Sequence, residues 1–239
     1  ASASLALGGA ALWLLMGVSA GVVAATRPRS RIDRSITAVA LLFYSMPTFL
    51  VGQLLLFFLF FQLYRAGFEF FPPGSYVPFT ENPLQWARFL ILPWFTFALM
   101  YAAIYTRMIR ASTLETLDED YVRTARAKGA PEWMVIRSHV LRNAMLPVVT
   151  MLGMDIAVSL GAVLFVESAY GLPGLGRLFA TSLARRDFPV LLGITMYTTL
   201  VVILVNFLID ILYGLVDPRA RIGSRSERAP SRAERAKAV

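Results

Sequence analysis

Residues 5–25 read LALGGAALWLLMGVSAGVVAA, without one ionisable side chain, and residues 26–35 read TRPRSRIDRS, with Arg27, Arg29, Arg31 and Arg34. An apolar run of about 20 residues crosses the ~30 Å hydrocarbon layer of a bilayer. Arginines gather at the cytoplasmic ends of such runs. The same reading extends along the chain, which has four more predominantly apolar runs, at about 36–63, 89–106, 146–166 and 190–216. Composition agrees, because 57% of the 239 residues are hydrophobic and 16% are charged, against about 45–50% and 25% in soluble domains. A soluble enzyme and a disordered or fibrous chain are excluded. The expected fold is all-α, a polytopic transmembrane helical bundle with about five spans in residues 1–221 and a basic tail at 222–239.

Local signals refine the spans. Gly17 and Gly21 have the spacing that lets helix backbones approach closely. Pro47 interrupts the second run and predicts a kink. Pro93 and Pro147 are expected near the starts of the third and fourth spans, where a missing N–H costs little. The loops 26–35 and 107–145 and the tail from residue 217 hold eighteen basic residues, and the alternate loops hold five. This asymmetry places the former on the cytoplasmic side and explains most of the +8 net charge without nucleic acid. It also sets Ala1 outside the cytoplasm, so a further span is expected upstream.

Several chemistries are excluded by inventory. There is no cysteine, one histidine (His139) and two lysines, Lys128 and Lys237. Disulfides, thiolate metal sites, paired-histidine zinc and a phosphate-binding P-loop are therefore absent. The spans carry no convergent carboxylate cluster suited to catalysis, so the chain is expected to be non-catalytic and to hold no metal or cofactor.

The segment 107–145 is too long for a simple connector. Thr116 or Asp118 is placed to cap a helix whose first turn is acidic (Asp118, Glu119, Asp120) and whose end is basic (Arg123, Arg126, Lys128), both favoured by the helix dipole. Gly129 supplies the stop, and Pro131 and Glu132 open a second helix through Trp133 and Ile136 towards Asn143. Two short helices meeting at a Gly-Ala-Pro corner make a candidate docking surface.

The run Asp120-Tyr121-Val122-Arg123-Thr124-Ala125-Arg126-Ala127-Lys128-Gly129, followed by His139-Val140-Leu141-Arg142-Asn143-Ala144-Met145-Leu146-Pro147, resembles the coupling loop of ABC-transporter permeases of the dipeptide, oligopeptide and nickel importer family. The run from Glu167-Ser168-Ala169-Tyr170-Gly171 through Leu172-Pro173-Gly174-Leu175-Gly176-Arg177 resembles the external turn of the first (B-type) permease of that family. Ser45-Met46-Pro47-Thr48-Phe49 and the end from Asn206 to Arg219 fit the same pattern. The likeness spans about 34–221. Arg123-Thr124-Ala125 replaces the Glu-Ala-Ala of the wider importer motif, and His139-Val140-Leu141-Arg142 replaces its Ile-x-Leu-Pro. Both departures are shared by the peptide and nickel branch.

The resemblance implies a type I importer permease in a bacterial plasma (inner) membrane. It would pair with a second homologous permease and two cytoplasmic ATPases, which bind ATP and Mg, and receive substrate from an external binding protein. Ala127, Gly129, Ala130, Pro131 and Glu132 would seat on an ATPase. Pro73, Gly74, Pro173, Gly174 and Arg185 are the expected binding-protein contacts. Nickel chelates and glutathione are the alternative substrates, and a channel or intramembrane enzyme the alternative class.

Asp155 stands mid-span, where a charge is expensive and marks a functional or buried polar site. Gly153, Ala157 and Gly161 form a small-residue stripe expected to pack, while Asp155 and Ser159 share the opposite face. Asp155, Ser159 and Gln53 are the expected path-lining residues. A hydrogen-bonded helix contact is the structural alternative for Asp155. Asp210, Gln62 and the Phe57–Phe61 cluster are weaker candidates.

Overall fold

The computed structural model describes residues 1–68, 71 and 76–216, with the backbone alone at 150, 153, 157, 160, 209, 210 and 212–216. Pro73, Gly74 and the tail from residue 217 lie outside the described residues, as do the side chains of Gly153, Ala157 and Asp210. Every regular element among the described residues is helical, as expected, with α1 at Ser2–Thr26, α2 at Arg31–Ser45, α3 at Thr48–Arg65 and α4 at Pro83–Leu117. Then come α5 at Asp120–Ala127, α6 at 132–144, α7 at Leu146–Tyr170, α8 at Leu175–Arg185 and α9 at Phe188–Val216. Among the described residues, four helices (α1, α3, α4, α9) are long and apolar enough to cross a membrane. The two parts of α7, Leu146–Ile156 and Gly161–Tyr170, bent by 64°, make a fifth span if taken together.

Helix ends follow their capping chemistry. Ser30 caps α2 by accepting from the Asp33 N–H at 3.1 Å, and Asn82 caps α4 by accepting from the Gln85 N–H at 3.0 Å. Because Asn82 and Pro83 start α4 so early, the helix begins well before residue 89, and Pro93 lies inside it rather than near its start. The second apolar run breaks at Met46 and Pro47, as the proline predicts, and α3 becomes π-helical over Leu56–Gln62.

The bundle is organised around α4. Leu5, Gly9, Trp13, Gly17 and Gly21 form a buried stripe on α1, one residue per turn. A Cβ at Gly17 would stand 2.7 Å from the Tyr105 Cβ, and one at Gly21 would stand 2.9 Å from both the Ile109 Cβ and the Thr106 carbonyl oxygen. These two positions therefore require glycine for backbone proximity. Between them and Gly9, Trp13 stacks on Tyr101 with ring centroids 4.5 Å apart, flanked by Phe97 and Tyr105. A second node joins three helices. Thr96 of α4 and Tyr170 of α7 share a 2.7 Å hydrogen bond, and the Tyr170 hydroxyl also donates to the Gly52 carbonyl of α3 at 3.4 Å. Gly161, expected in a packing stripe, is exposed instead, with no described residue beyond its own helix neighbours within 4 Å of where a Cβ would stand.

Gly17→Leu or Gly21→Leu forces α1 off α4, and overpacking of this kind costs about 1–3 kcal/mol. Thermal unfolding in detergent should show a lowered transition for each variant. An unchanged transition would show that α1 is free to shift along α4.

Candidate functional site

The corner begins where α4 ends. Thr116 does not cap the next helix, since it remains inside α4 and its hydroxyl donates to the Ser112 carbonyl at 2.7 Å. Asp118 closes α4 as its C-cap, and Glu119 takes the N-cap position of α5 without a side-chain hydrogen bond. Val122 of α5 and Val135 and Val140 of α6 are fully buried together, with Leu117, Ala125 and Ala130 packed around them. This small apolar cluster holds the two helices to each other.

Gly129 makes the turn. Its φ of +81° lies in the left-handed region that favours glycine. The Ala130 N–H reaches back to the Ala125 carbonyl at 3.2 Å, and the Gly129 N–H to Arg126 at 2.9 Å. Across the turn the Arg126 guanidinium grips Glu132 with two of its nitrogens, Nη2 at 2.6 Å and Nε at 3.1 Å. That hydrogen-bonded pairing holds the Glu132 carboxyl below its ordinary range and raises Arg126. Ala127, Gly129, Pro131 and Glu132 are exposed at the corner, and Ala130 is half-buried toward the valine cluster. Trp133, 63% exposed, stands beside them and was not among the expected contacts. Ser112 donates to the Ala144 carbonyl at 3.1 Å and fastens the end of α6 to α4.

On the same arginine-rich side, the Arg110 guanidinium of α4 donates to both Asp33 oxygens of α2, at 2.6 and 2.8 Å. Asp33 also accepts from the Arg29 N–H at 2.9 Å and is almost fully buried. The Arg110 hydrogen bonds, helped by Arg29, outweigh burial and hold its carboxyl down at about 2. Sequence reading passed over this pair because its members lie 77 residues apart.

Of the three expected path residues, Asp155 is half-buried and accepts from the Tyr105 hydroxyl at 2.8 Å, beside the Trp13 cluster. Ser159 is buried and donates to the Ile156 carbonyl at 2.7 Å. Gln53 is exposed on α3. At the other end of α7, Glu167 is fully buried, and its Oε2 accepts from the Gly176 N–H at 2.6 Å at the start of α8. Its Oε1 has no hydrogen-bond partner among the described residues. Gly174 lies directly against this carboxylate, and Gly176 against the Leu164 backbone, so neither has room for a Cβ. Pro173 and Arg185 are exposed, and Gly174 is half-buried. The signal for Glu167 was an acid closing the stretch that is uncharged from Ile156 to Val166, just before a glycine-rich turn.

Residues 17–222 match the family described as binding-protein-dependent transport system inner membrane component. The chain is 40% identical over 216 residues to a putative peptide permease protein of Brucella suis biovar 1 (strain 1330), covering 90% of this chain and 66% of the relative. It is 34% identical over 209 residues to the dipeptide transport system permease protein of Bacillus subtilis (strain 168), covering 87% and 64%. The chain thus spans about two thirds of the length of the curated relatives it matches. Among solved structures, an inward-facing MetNI methionine ABC transporter gives a TM-score of 0.68 at 18% identity, covering 90% of this chain and 93% of the other. An amino acid ABC transporter with histidines gives 0.62 at 18% identity, covering 88% of each. These two likenesses concern the fold.

Asp33 generates a pH prediction. Its folded pKa lies below its ordinary 3.8, so the folded chain binds fewer protons than the unfolded one in that range. The stabilisation is complete above about pH 4 and lost as pH falls towards 2. Asp33→Asn should cost about 1–2 kcal/mol at pH 7, the pair being partly solvent-screened on the Arg110 side. The gap between wild type and variant in thermal unfolding should narrow at pH 3. A gap of equal size at both pH values would assign the effect to packing.

Proposed function

Because this chain belongs to the family of binding-protein-dependent transport system inner membrane components, we propose that it is a permease subunit of an ATP-driven peptide importer. The observation that carries the reading is the built corner at the end of α4. That helix has 35 residues, about 52 Å at 1.5 Å per residue, longer than the ~30 Å hydrocarbon layer. It ends in a small apolar cluster, a left-handed glycine and an ion-paired clasp. A surface of this kind can receive a push and pass it to the bundle as a rigid lever. The relatives named as peptide and dipeptide permeases support the substrate class.

In this reading the chain pairs with a second, similar permease and with two ATPase subunits, which bind ATP and Mg on the side of the corner. A binding protein docks on the opposite side, near Pro173, Gly174 and Arg185. The arginine-rich side, with the corner, faces the cytoplasm. Peptides carry charged ends and unpaired amides that are costly to place in hydrocarbon, so a protein-lined path open to one side at a time avoids that cost. Closure of the ATPases presses on Ala127, Gly129, Pro131 and Glu132. The Arg126–Glu132 clasp keeps the corner from yielding, and the Asp33–Arg110 pair makes α2 move with α4. Asp155, held by Tyr105, offers a carboxylate at span depth that can meet a peptide amino terminus.

ATP hydrolysis by the complete complex in lipid tests this, with binding protein loaded from a panel of di-, tetra- and longer peptides, glutathione and a nickel chelate. Stimulation by one peptide length is expected. It should be lost in Gly129→Asp, which puts a side chain on a left-handed backbone. Stimulation by nickel chelate or glutathione alone would overturn the peptide assignment, and no stimulation at all would overturn the importer reading.

Two further variants divide the roles. Arg126→Glu should uncouple hydrolysis from transport about tenfold, and Arg126→Glu with Glu132→Arg should recover most of it. No recovery would mean that Glu132 acts through another partner. Asp155→Asn should lower uptake of peptides with a free amino terminus more than uptake of blocked ones. Unchanged uptake of every substrate would reduce Asp155 to a helix contact.

A further inference from the structure

A groove of about 280 Å³ opens on the side of the bundle between α1, α2 and α4, lined by apolar side chains that include Met16, Ala20, Val39, Phe43 and Leu99. On α2 the lining runs from Ser35 to Phe43, about 12 Å along the helix. Its lining is almost entirely apolar, it lies within the spans, and it ends at the arginine-rich loop. Arg31 lies one turn before Ser35 on the same face of α2 by helical spacing, and Arg27 is the C-cap residue that ends α1 and opens the short turn into α2. Arg27, Arg29, Arg31 and Arg34 are all exposed. The acid of their own segment, Asp33, is already occupied by Arg110. The mouth of an apolar groove therefore carries cations that this loop does not neutralise.

That combination has one chemical complement in a bilayer. An acyl chain fits the groove at the depth where hydrocarbon is available. A phosphate at its head would meet guanidinium groups, which pair with phosphate through two parallel hydrogen bonds. We propose that the groove binds one anionic phospholipid from the leaflet on the arginine-rich side, with an acyl chain along α2 and its phosphate between Arg27 and Arg31. The site rests on the chain being a membrane-spanning subunit and does not depend on what the complex transports. A lipid seated there would touch α1, α2 and α4 at once, beside the Asp33–Arg110 pair.

The test uses the full-length chain in its purified complex, reconstituted in nanodiscs of phosphatidylglycerol and phosphatidylethanolamine. Native mass spectrometry should find one phosphatidylglycerol retained per copy of this chain, enriched over phosphatidylethanolamine. Arg27→Gln with Arg31→Gln should reduce that enrichment about tenfold, since each arginine near an anionic headgroup contributes a modest attraction. Val39→Trp, at a position 52% exposed that tolerates a larger side chain, should cover the groove and reduce retention of either lipid. A photoreactive residue at position 39 should capture lipid. Three outcomes overturn the proposal: no retained lipid, equal retention of the two headgroups, or capture of polypeptide at position 39, which would make the groove a protein interface. Each is read without transport, so it is distinguishable from a failure of the importer reading.

Discussion

Helices inside a bilayer gain little by burying apolar surface against one another, since the lipid is as apolar as they are, and contact must come from close approach. The seam between α1 and α4 meets that constraint. Gly17 and Gly21 let the α1 backbone reach the Tyr105 and Ile109 side chains and the Thr106 carbonyl, and Trp13 fills the space between them with a stack on Tyr101. Several other helices are fastened to α4 as well, while α8 and α9 pack on α7. Tyr170 ties α7 and α3 to Thr96, Arg110 ties α2, and Ser112 ties the end of α6.

One helix thus carries both the packing seam and the exposed corner. A force on the corner enters a helix already joined to five others. The ties differ in kind, which matters for what can move. The seam is dense and aromatic, whereas the Asp33–Arg110 pair is a charged contact at the rim, partly open to solvent on the arginine side. Rim contacts of that type re-form more readily than an interdigitated core.

Much of this was legible in the sequence. The length of apolar runs announced a helical membrane bundle, and Pro47 announced the break before α3. Gly129 announced the left-handed corner, because a glycine after a basic helix end has one common use. What escaped notice was contact between distant residues. Periodicity placed Asp155 on a polar face but could not show that Tyr105 of α4 stands opposite it. Arg126 and Glu132 sit six residues apart across a turn, outside the three- and four-residue spacings that signal helical pairs. The early start of α4 was written in Asn82 and Pro83, yet apolar run length drew attention to Phe89. The π-helical stretch of α3 has no signal in a row of leucines and phenylalanines.

The buried Glu167 beneath the turn of Gly174 and Gly176 has a consequence for how this stretch can change by descent. A side chain added at Gly174 strikes the carboxylate, and one added at Gly176 strikes the backbone of α7. Truncating Glu167 to alanine instead strips the Gly176 N–H of its acceptor. The three positions therefore constrain one another sterically, and a different turn here calls for their concerted replacement.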